Sequence, residues 1–180
     1  MKATPTAIPG VVVIEPEVFR DERGALYESY NRQAFLRATG VDADFVQDNH
    51  STSRRGVLRG LHYQLAHPQG KLVRVVRGAV FDVAVDLRRS SATFGRWVGM
   101  ELTADNRRQL WIPPGFAHGC LALSEADVVY KLTAHYVPQD ERCIVWDDAA
   151  IGIAWPLSGP PVLSARDRAA VPLAKADLLA

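Results

Sequence analysis

Cysteine is scarce in this chain. Cys120 and Cys143 are the only two among 180 residues, and no ligand-like spacing surrounds them. That argues against a disulfide framework or a thiolate metal site, and buried free thiols are the simplest reading. An excess of one charge is missing as well. The 21 basic residues face 20 acidic ones, for a formal net charge of +1, which leaves no global field to attract nucleic acid or a membrane surface. Long apolar runs are lacking, and no amino-terminal signal peptide is visible. The expectation is a reduced, cytoplasmic protein with neither nucleic acid nor membrane as partner.

Helical periodicity is also thin. Asn31 to Thr39 is the clearest helix, with Asn31 placed to cap it, Phe35 and Leu36 as its apolar patch and Gly40 to stop it. Val11 to Ile14 and Ala25 to Tyr30 read as strands on either side of a turn at Asp21-Glu22-Arg23-Gly24. Beyond Phe45 the pattern is short and β-like. Its main runs are Leu72 to Val76, Ala79 to Leu87, Trp97 to Leu102, Gln109 to Ile112, Leu121 to Leu123 and Val128 to Tyr136. Gly78, Arg89-Ser90-Ser91, Ala104-Asp105-Asn106 and Pro113-Pro114-Gly115 punctuate them. Many short strands with little helix predict an antiparallel sandwich or barrel, and the length suits a single domain over 1–180. From Trp155 to Leu179 the chain is loop-rich, with a short helix expected at its close.

The chemistry gathers around Arg55-Gly56-Val57-Leu58-Arg59-Gly60-Leu61-His62-Tyr63-Gln64. Alternation from Val57 to Gln64 predicts a half-buried strand, with Arg59 and Leu61 on one face and Gly60, His62 and Gln64 on the other. Unpaired charge is rarely buried, so a basic strand in core-like sequence calls for a ligand. Of the 21 basic residues 17 are arginine. Surface exposure accounts for most, but a guanidinium within a strand matches the planar geometry of phosphate.

A histidine on a strand is commonly a packed structural residue. Near Arg59 and Lys71, however, His62 is a candidate base, because neighbouring cations disfavour imidazolium. A carboxylate would be needed to fix its tautomer, and spacing alone does not identify one. Tyr130 is either packing or an acid aimed across a barrel. Gln47-Asp48-Asn49-His50 is either a turn or an amide-bearing surface for a planar heterocycle. Trp97, Trp111, Trp146 and Trp155 read as core rather than stacking platforms.

Pro113-Pro114-Gly115-Phe116-Ala117-His118 resembles the second motif of the cupin superfamily of small jelly rolls. Metal-binding cupins bring two histidines and a carboxylate from their first motif. Here His62-Tyr63-Gln64 stands in that place, Lys71 follows, and His67 falls in a turn-like stretch, so no metal is expected.

Across nearly the whole chain the sequence resembles the dTDP-4-dehydrorhamnose 3,5-epimerase family. The resemblance runs through Phe19 to Gly24, Phe45 to Ser51, Gly56 to Gln64, Gln69 to Val73 and Phe81 to Arg88. Gln109 to Pro113, Ala117-His118-Gly119, Tyr130-Lys131 and Leu163 to Asp167 complete it. It implies an all-β, cupin-type jelly-roll barrel and a cofactor-independent epimerisation. The substrate implied is dTDP-4-keto-6-deoxy-D-glucose and the product dTDP-4-keto-L-rhamnose. By this resemblance His62 is the base, Asp167 its orienting carboxylate, Tyr130 the acid and Lys71 the donor to the enolate oxygen. His118 lines the sugar site, while Arg23, Glu28, Gln47, Asp48, Asn49, Arg59, Glu141 and Arg166 hold the nucleotide or its sugar. A homodimer with exchanged amino-terminal strands is implied too, in which Arg23 and Glu28 complete the partner's site.

Where many relatives carry an aromatic residue after Ala-His-Gly, this chain has Cys120, which bears on pocket shape. A single-carbon epimerase or a ketosugar isomerase is therefore the neighbouring alternative. A metal-dependent oxygenase would require bound metal, and a non-catalytic nucleotide-sugar module would need neither His62 nor Tyr130.

Overall fold

A computed structural model describes residues 1–178, so the expectation reaching Leu179 and the boundary at 180 extend past the described residues. The architecture is an all-β jelly roll of two facing antiparallel sheets. One sheet has six strands: β1 (Lys2–Pro5), β2 (Val12–Glu15), β5 (Gln47–Ser53), β7 (Lys71–Arg77), β10 (Gln109–Ile112) and β12 (Ala126–Leu132), in the order β1-β2-β10-β7-β12-β5. The other has β6 (Leu58–Gln64), β8 (Ala79–Asp86), β9 (Trp97–Thr103), β11 (Phe116–Ala122) and β13 (Glu141–Cys143), in the order β13-β6-β11-β8-β9. The sheets remain open rather than closing into the expected barrel. A separate hairpin pairs β3 (Val18–Asp21) with β4 (Gly24–Tyr27).

Alternation along the strands sorts side chains into three layers. Val73, Val75, Val80, Ala84, Leu110, Ile112 and Phe116 fill the space between the sheets. Leu61, Tyr63, Val83, Val85 and Ala117 face outward from the five-stranded sheet, beneath Ile144, Ile153, Trp155 and Leu173 of the carboxy-terminal segment. On the outside of the six-stranded sheet, Ile14, Leu72 and Trp111 pack against Phe35 of α1 (Arg32–Thr39) and Phe45. Asn31 Oδ1 caps α1 by accepting from Ala34 N at 3.0 Å, and Gly40 ends it at φ 73°. Leu36, expected to share the apolar face, is exposed.

Further sequence expectations change. Gln47 to Ser53 forms a full strand although it contains no large apolar residue, because its inward side chains line a polar cavity. The run from Val128 stops at Leu132, after which residues 133–140 form loop and turn. The carboxy-terminal region ends not in one helix but in a four-residue helix α2 (Ala165–Arg168) followed by a 3-10 turn at Leu173–Lys175.

The consequential correction concerns Arg59. β6 pairs His62 with His118 but Arg59 with Cys120, a register shift of one residue. The extra residue reverses the facing of everything before Leu61. Arg59 therefore shares the inner wall with His62, where simple alternation sends it outward. Gly60 occupies the shift at φ 125°, and a Cβ there would lie 2.6 Å from Gly119 Cα and 2.7 Å from the His118 carbonyl oxygen. Both neighbours are backbone and cannot swing aside. Gly60→Ala should therefore destabilise the protein by about 3 kcal/mol, as overpacked sites do. Urea unfolding checks this, and an unchanged midpoint would show that the strands have room to separate.

Candidate active site

Between the sheets lies a cavity of about 240 Å³. β6 supplies Arg59 and His62 to its wall, β11 supplies His118 and Cys120, and β7 supplies Lys71. From the same six-stranded sheet as β7, β5 contributes Asn49 and Ser51, and β12 contributes Val128, Tyr130 and Leu132. Tyr136, Glu141 and Arg166 stand at the mouth, with Gln69 close by.

His62 Nε2 lies 2.6 Å from Asp167 Oδ1. Asp167 sits on α2, and Ser164 both caps that turn and donates its hydroxyl to Oδ2 at 2.7 Å. Burial pushes the Asp167 carboxyl pKa up, but hydrogen bonds from His62 and Ser164 outweigh it and hold the value down at about 2. An ionised carboxylate only accepts hydrogen bonds, so the ring nitrogen facing Asp167 carries the proton. The other nitrogen keeps its lone pair and can take a proton. The carboxylate that spacing could not identify from the sequence is 105 residues away.

A second histidine is held similarly, with His118 Nε2 2.8 Å from Asp82 Oδ1. Lys71 is buried, and its Nζ lies 3.5 Å from the His62 carbonyl oxygen. Burial lowers its pKa, with Asp82 pulling the other way, to about 8. Tyr130 accepts from Asn49 Nδ2 at 3.2 Å, and Asn49 in turn accepts from Gln47 Nε2 at 2.8 Å. Arg59 donates to the Ser53 hydroxyl at 3.0 Å and the Thr52 carbonyl at 3.1 Å. Both acceptors are neutral, so its charge is left for an anion.

The mouth is built on loop contacts. Tyr136 donates its hydroxyl proton to Glu141 at 2.8 Å, Arg166 pairs with Glu141, and Gln47 Oε1 accepts from Tyr136 N at 2.9 Å. Asp140 accepts from the main-chain N–H groups of Ala66 and His67, both at 2.7 Å. Gln64 and Gln69 donate to the carbonyls of His135 and Ala134.

Three expected site residues stand apart from this cavity within the single chain. Asp48 alternates outward from Asn49 and pairs with Lys131 at 3.0 Å. Arg23 pairs with Asp21 at the tip of the β3–β4 hairpin, its side chain 85% exposed. Glu28 accepts from Asn31 at 3.0 Å. Conversely, Tyr136, Ser51 and the supporting Asp82 were not singled out from sequence as site residues. Tyr136 lies past the end of β12, where strand alternation no longer applies, so its place at the cavity had no local signal. Asp82 sat within a matching stretch, indistinguishable there from a structural aspartate.

His62, Cys143 and Asp167 bring potential metal ligands within 4.8 Å of one another. Burial and the adjacent Asp167 charge push the Cys143 pKa up to about 12. Cys120 is likewise driven to about 12, chiefly by burial. A histidine held by a carboxylate, with a buried lysine and a tyrosine on the same cavity, is an arrangement suited to proton transfer.

Residues 5–175 match the protein family described as dTDP-4-dehydrorhamnose 3,5-epimerase. A protein of that name from Pseudomonas aeruginosa is 59% identical over 178 residues, covering 98% of each chain. The crystal structure of a dTDP-6-deoxy-D-glucose-3,5-epimerase from Legionella pneumophila, in complex with dTDP-4-keto-L-rhamnose, is 48% identical. It superposes with a TM-score of 0.95 over 98% of this chain and 94% of that one. A 3'-monoepimerase from Streptomyces bikiniensis, in complex with dTDP-quinovose, is 37% identical, with a TM-score of 0.89 over 97% of this chain and 88% of that one.

The depressed pKa of Asp167 carries a stability consequence. A carboxyl at about 2 when folded and near 4 when unfolded adds about 2 kcal/mol to stability at neutral pH. That increment is complete above pH 4 and lost as pH falls through 2. Asp167→Asn should flatten the acid side of the stability curve between pH 4 and 2, as read from urea midpoints. An acid slope identical to that of the parent would place the titrating carboxylate elsewhere.

Proposed function

Since the chain belongs to the dTDP-4-dehydrorhamnose 3,5-epimerase family, we propose that its cavity binds the sugar of dTDP-4-keto-6-deoxy-D-glucose, with His62, Tyr130 and Lys71 acting on it. The chain is an isomerase that epimerises this substrate at carbons 3 and 5 to dTDP-4-keto-L-rhamnose. Both carbons flank a ketone, so loss of either proton gives an enolate delocalised onto the carbonyl oxygen. Substrate and product have the same oxidation state, and the reaction calls for no redox cofactor.

One observation carries the assignment of roles. His62 projects from the five-stranded sheet and Tyr130 from the six-stranded sheet, so a ring held between them is approached from two sides. In this reading His62, its tautomer set by Asp167, removes the proton. Tyr130 returns one from the other face, and Lys71 meets the growing charge on the ketone oxygen. Arg59 suits the pyrophosphate, and Gln47 and Asn49 the polar edge of thymine. The cavity falls below the roughly 300–1,000 Å³ of typical small-molecule sites, which suits a sugar ring with the nucleotide along the open rim. Glu141, Arg166 and His118 then frame the sugar.

We also propose a homodimer with exchanged amino-terminal strands. The β3–β4 hairpin pairs with neither large sheet. It carries Phe19 and Leu26 at 59% and 75% exposure, an apolar surface suited to a second copy. Exchange would bring the partner's counterparts of Arg23 and Glu28 towards the rim. Among the described residues no helix is long and apolar enough to cross a membrane.

Incubation in heavy water with the dTDP-linked ketosugar, followed by NMR, tests the mechanism. The parent should incorporate deuterium at both carbons. His62→Ala should lose exchange and inversion together. Tyr130→Phe should exchange protons faster than it makes inverted product, because the base returns hydrogen only to the original face. Full exchange by His62→Ala, or parental inversion by Tyr130→Phe, would refute the two-residue scheme. Sedimentation tests the assembly: a dimer is expected at micromolar concentration, weakened by Leu26→Asp, and a parental monomer would overturn it.

A further inference from the structure

Asp82 is fully buried on the inner face of β8, directly across the ladder from Cys120. One of its oxygens contacts His118 at 2.8 Å, and the other has no hydrogen-bond partner among the described residues. A buried carboxylate oxygen without a donor is costly unless a nearby positive charge compensates it. Lys71 is the nearest candidate: it lines the same cavity as His118 and Cys120, the two residues Asp82 adjoins, and the Asp82 charge raises its pKa through space without an ion pair between them. It emerges from β7 on the same interior as Val73 and Val75, is itself buried, and forms no ion pair among the described residues.

We propose that Asp82 is a positioning residue of the oxyanion site: one oxygen holds His118, while the charge on the other keeps Lys71 an ammonium facing the ketone oxygen. This rests on the reading of Lys71 as the enolate donor. Lys71's surroundings leave Asp82 as its compensating anion. On β6, Arg59 is a cation that opposes protonation of Lys71, and His62 is committed to Asp167. On β11, His118 is bound to Asp82 itself, and the Cys120 thiol is kept neutral by burial. Tyr130 faces in from β12 as a phenol, and at the mouth Arg166 and Glu141 cancel. Burial alone favours the neutral amine, and Asp82 opposes it. A neutral amine would still donate a hydrogen bond, but without the full charge that stabilises an enolate.

The test is the pH dependence of kcat, followed by NMR in the parent, Asp82→Asn, Lys71→Arg and the double variant. The parent should lose turnover as pH rises through about 8. Asp82→Asn should move that limb about one unit or more towards acid, the shift expected when an opposite charge is removed from a buried group. Lys71→Arg, whose guanidinium does not titrate in this range, should lack the limb, and adding Asp82→Asn should then shift nothing. This control also separates Lys71 from the Tyr130 phenol. A slower Asp82→Asn whose limb stays in place would reduce Asp82 to a packing residue and overturn the proposal. If that variant does not fold, the parent decides by carbon NMR of its four lysines, with Lys71→Arg identifying the resonance. Titration of Lys71 near 8 supports the proposal, and titration below 7 overturns it. Failure of the epimerase reading is distinguishable, because it would appear as absent deuterium exchange in the parent.

Discussion

The close approach of two backbones at Gly60 and Gly119 governs the site. Ordinary pairing sends alternate residues to opposite faces, so it cannot put an arginine and a histidine three positions apart on one wall. The one-residue shift beside His118 does so, and it requires a position without a side chain. Arg59 then meets Ser53 and Thr52, His62 meets Asp167, and the cavity acquires both a guanidinium on neutral acceptors and the histidine proposed as its base. A bulge in a sheet re-aims side chains at the cost of local pairing. Here the main-chain N–H of Gly60, at the shift, donates to Asp167, while Leu61 and Ile144 exchange bonds on the other side of β6.

Charge inside a sandwich otherwise filled with valine and leucine imposes the second constraint. Desolvation is offset only when each ion has a partner close at hand. His62 with Asp167, His118 with Asp82, and Arg166 with Glu141 satisfy that condition. Lys71 is the buried exception, without an ion pair among the described residues, whereas the exposed Arg59 is bonded only to neutral acceptors. The same reasoning applies to the two cysteines: burial raises both thiol pKa values, and at Cys143 the Asp167 charge adds to it.

Local signals revealed much of this arrangement and missed specific parts. The capped helix at Asn31, the strand Gln109–Ile112 and the inward-facing His118 followed from short patterns whose physical basis is local. The strand Gln47–Ser53 did not, because hydropathy sees only apolar alternation and this strand alternates polar groups between a cavity and solvent. Arg59 was misplaced because a register shift depends on what lies opposite, here Gly119, and not on the strand's own residues. Asp167 was reachable only through family resemblance. Its contact with His62 spans most of the chain, and no periodicity encodes such a distance. Tyr136 lay beyond the end of its strand, on a loop whose course depends on Gln64, Gln69 and Asp140.

The position of Asp167 ties the cavity to a part of the chain remote in sequence. Its carboxylate belongs to neither sheet; it rides on a short helix, 105 residues from the histidine it contacts. Closing so long a loop is entropically costly and precedes any local reward. Only with that helix in place does the Asp167 carboxylate reach His62, so the tautomer of the imidazole is fixed by the packing of a part of the chain remote in sequence.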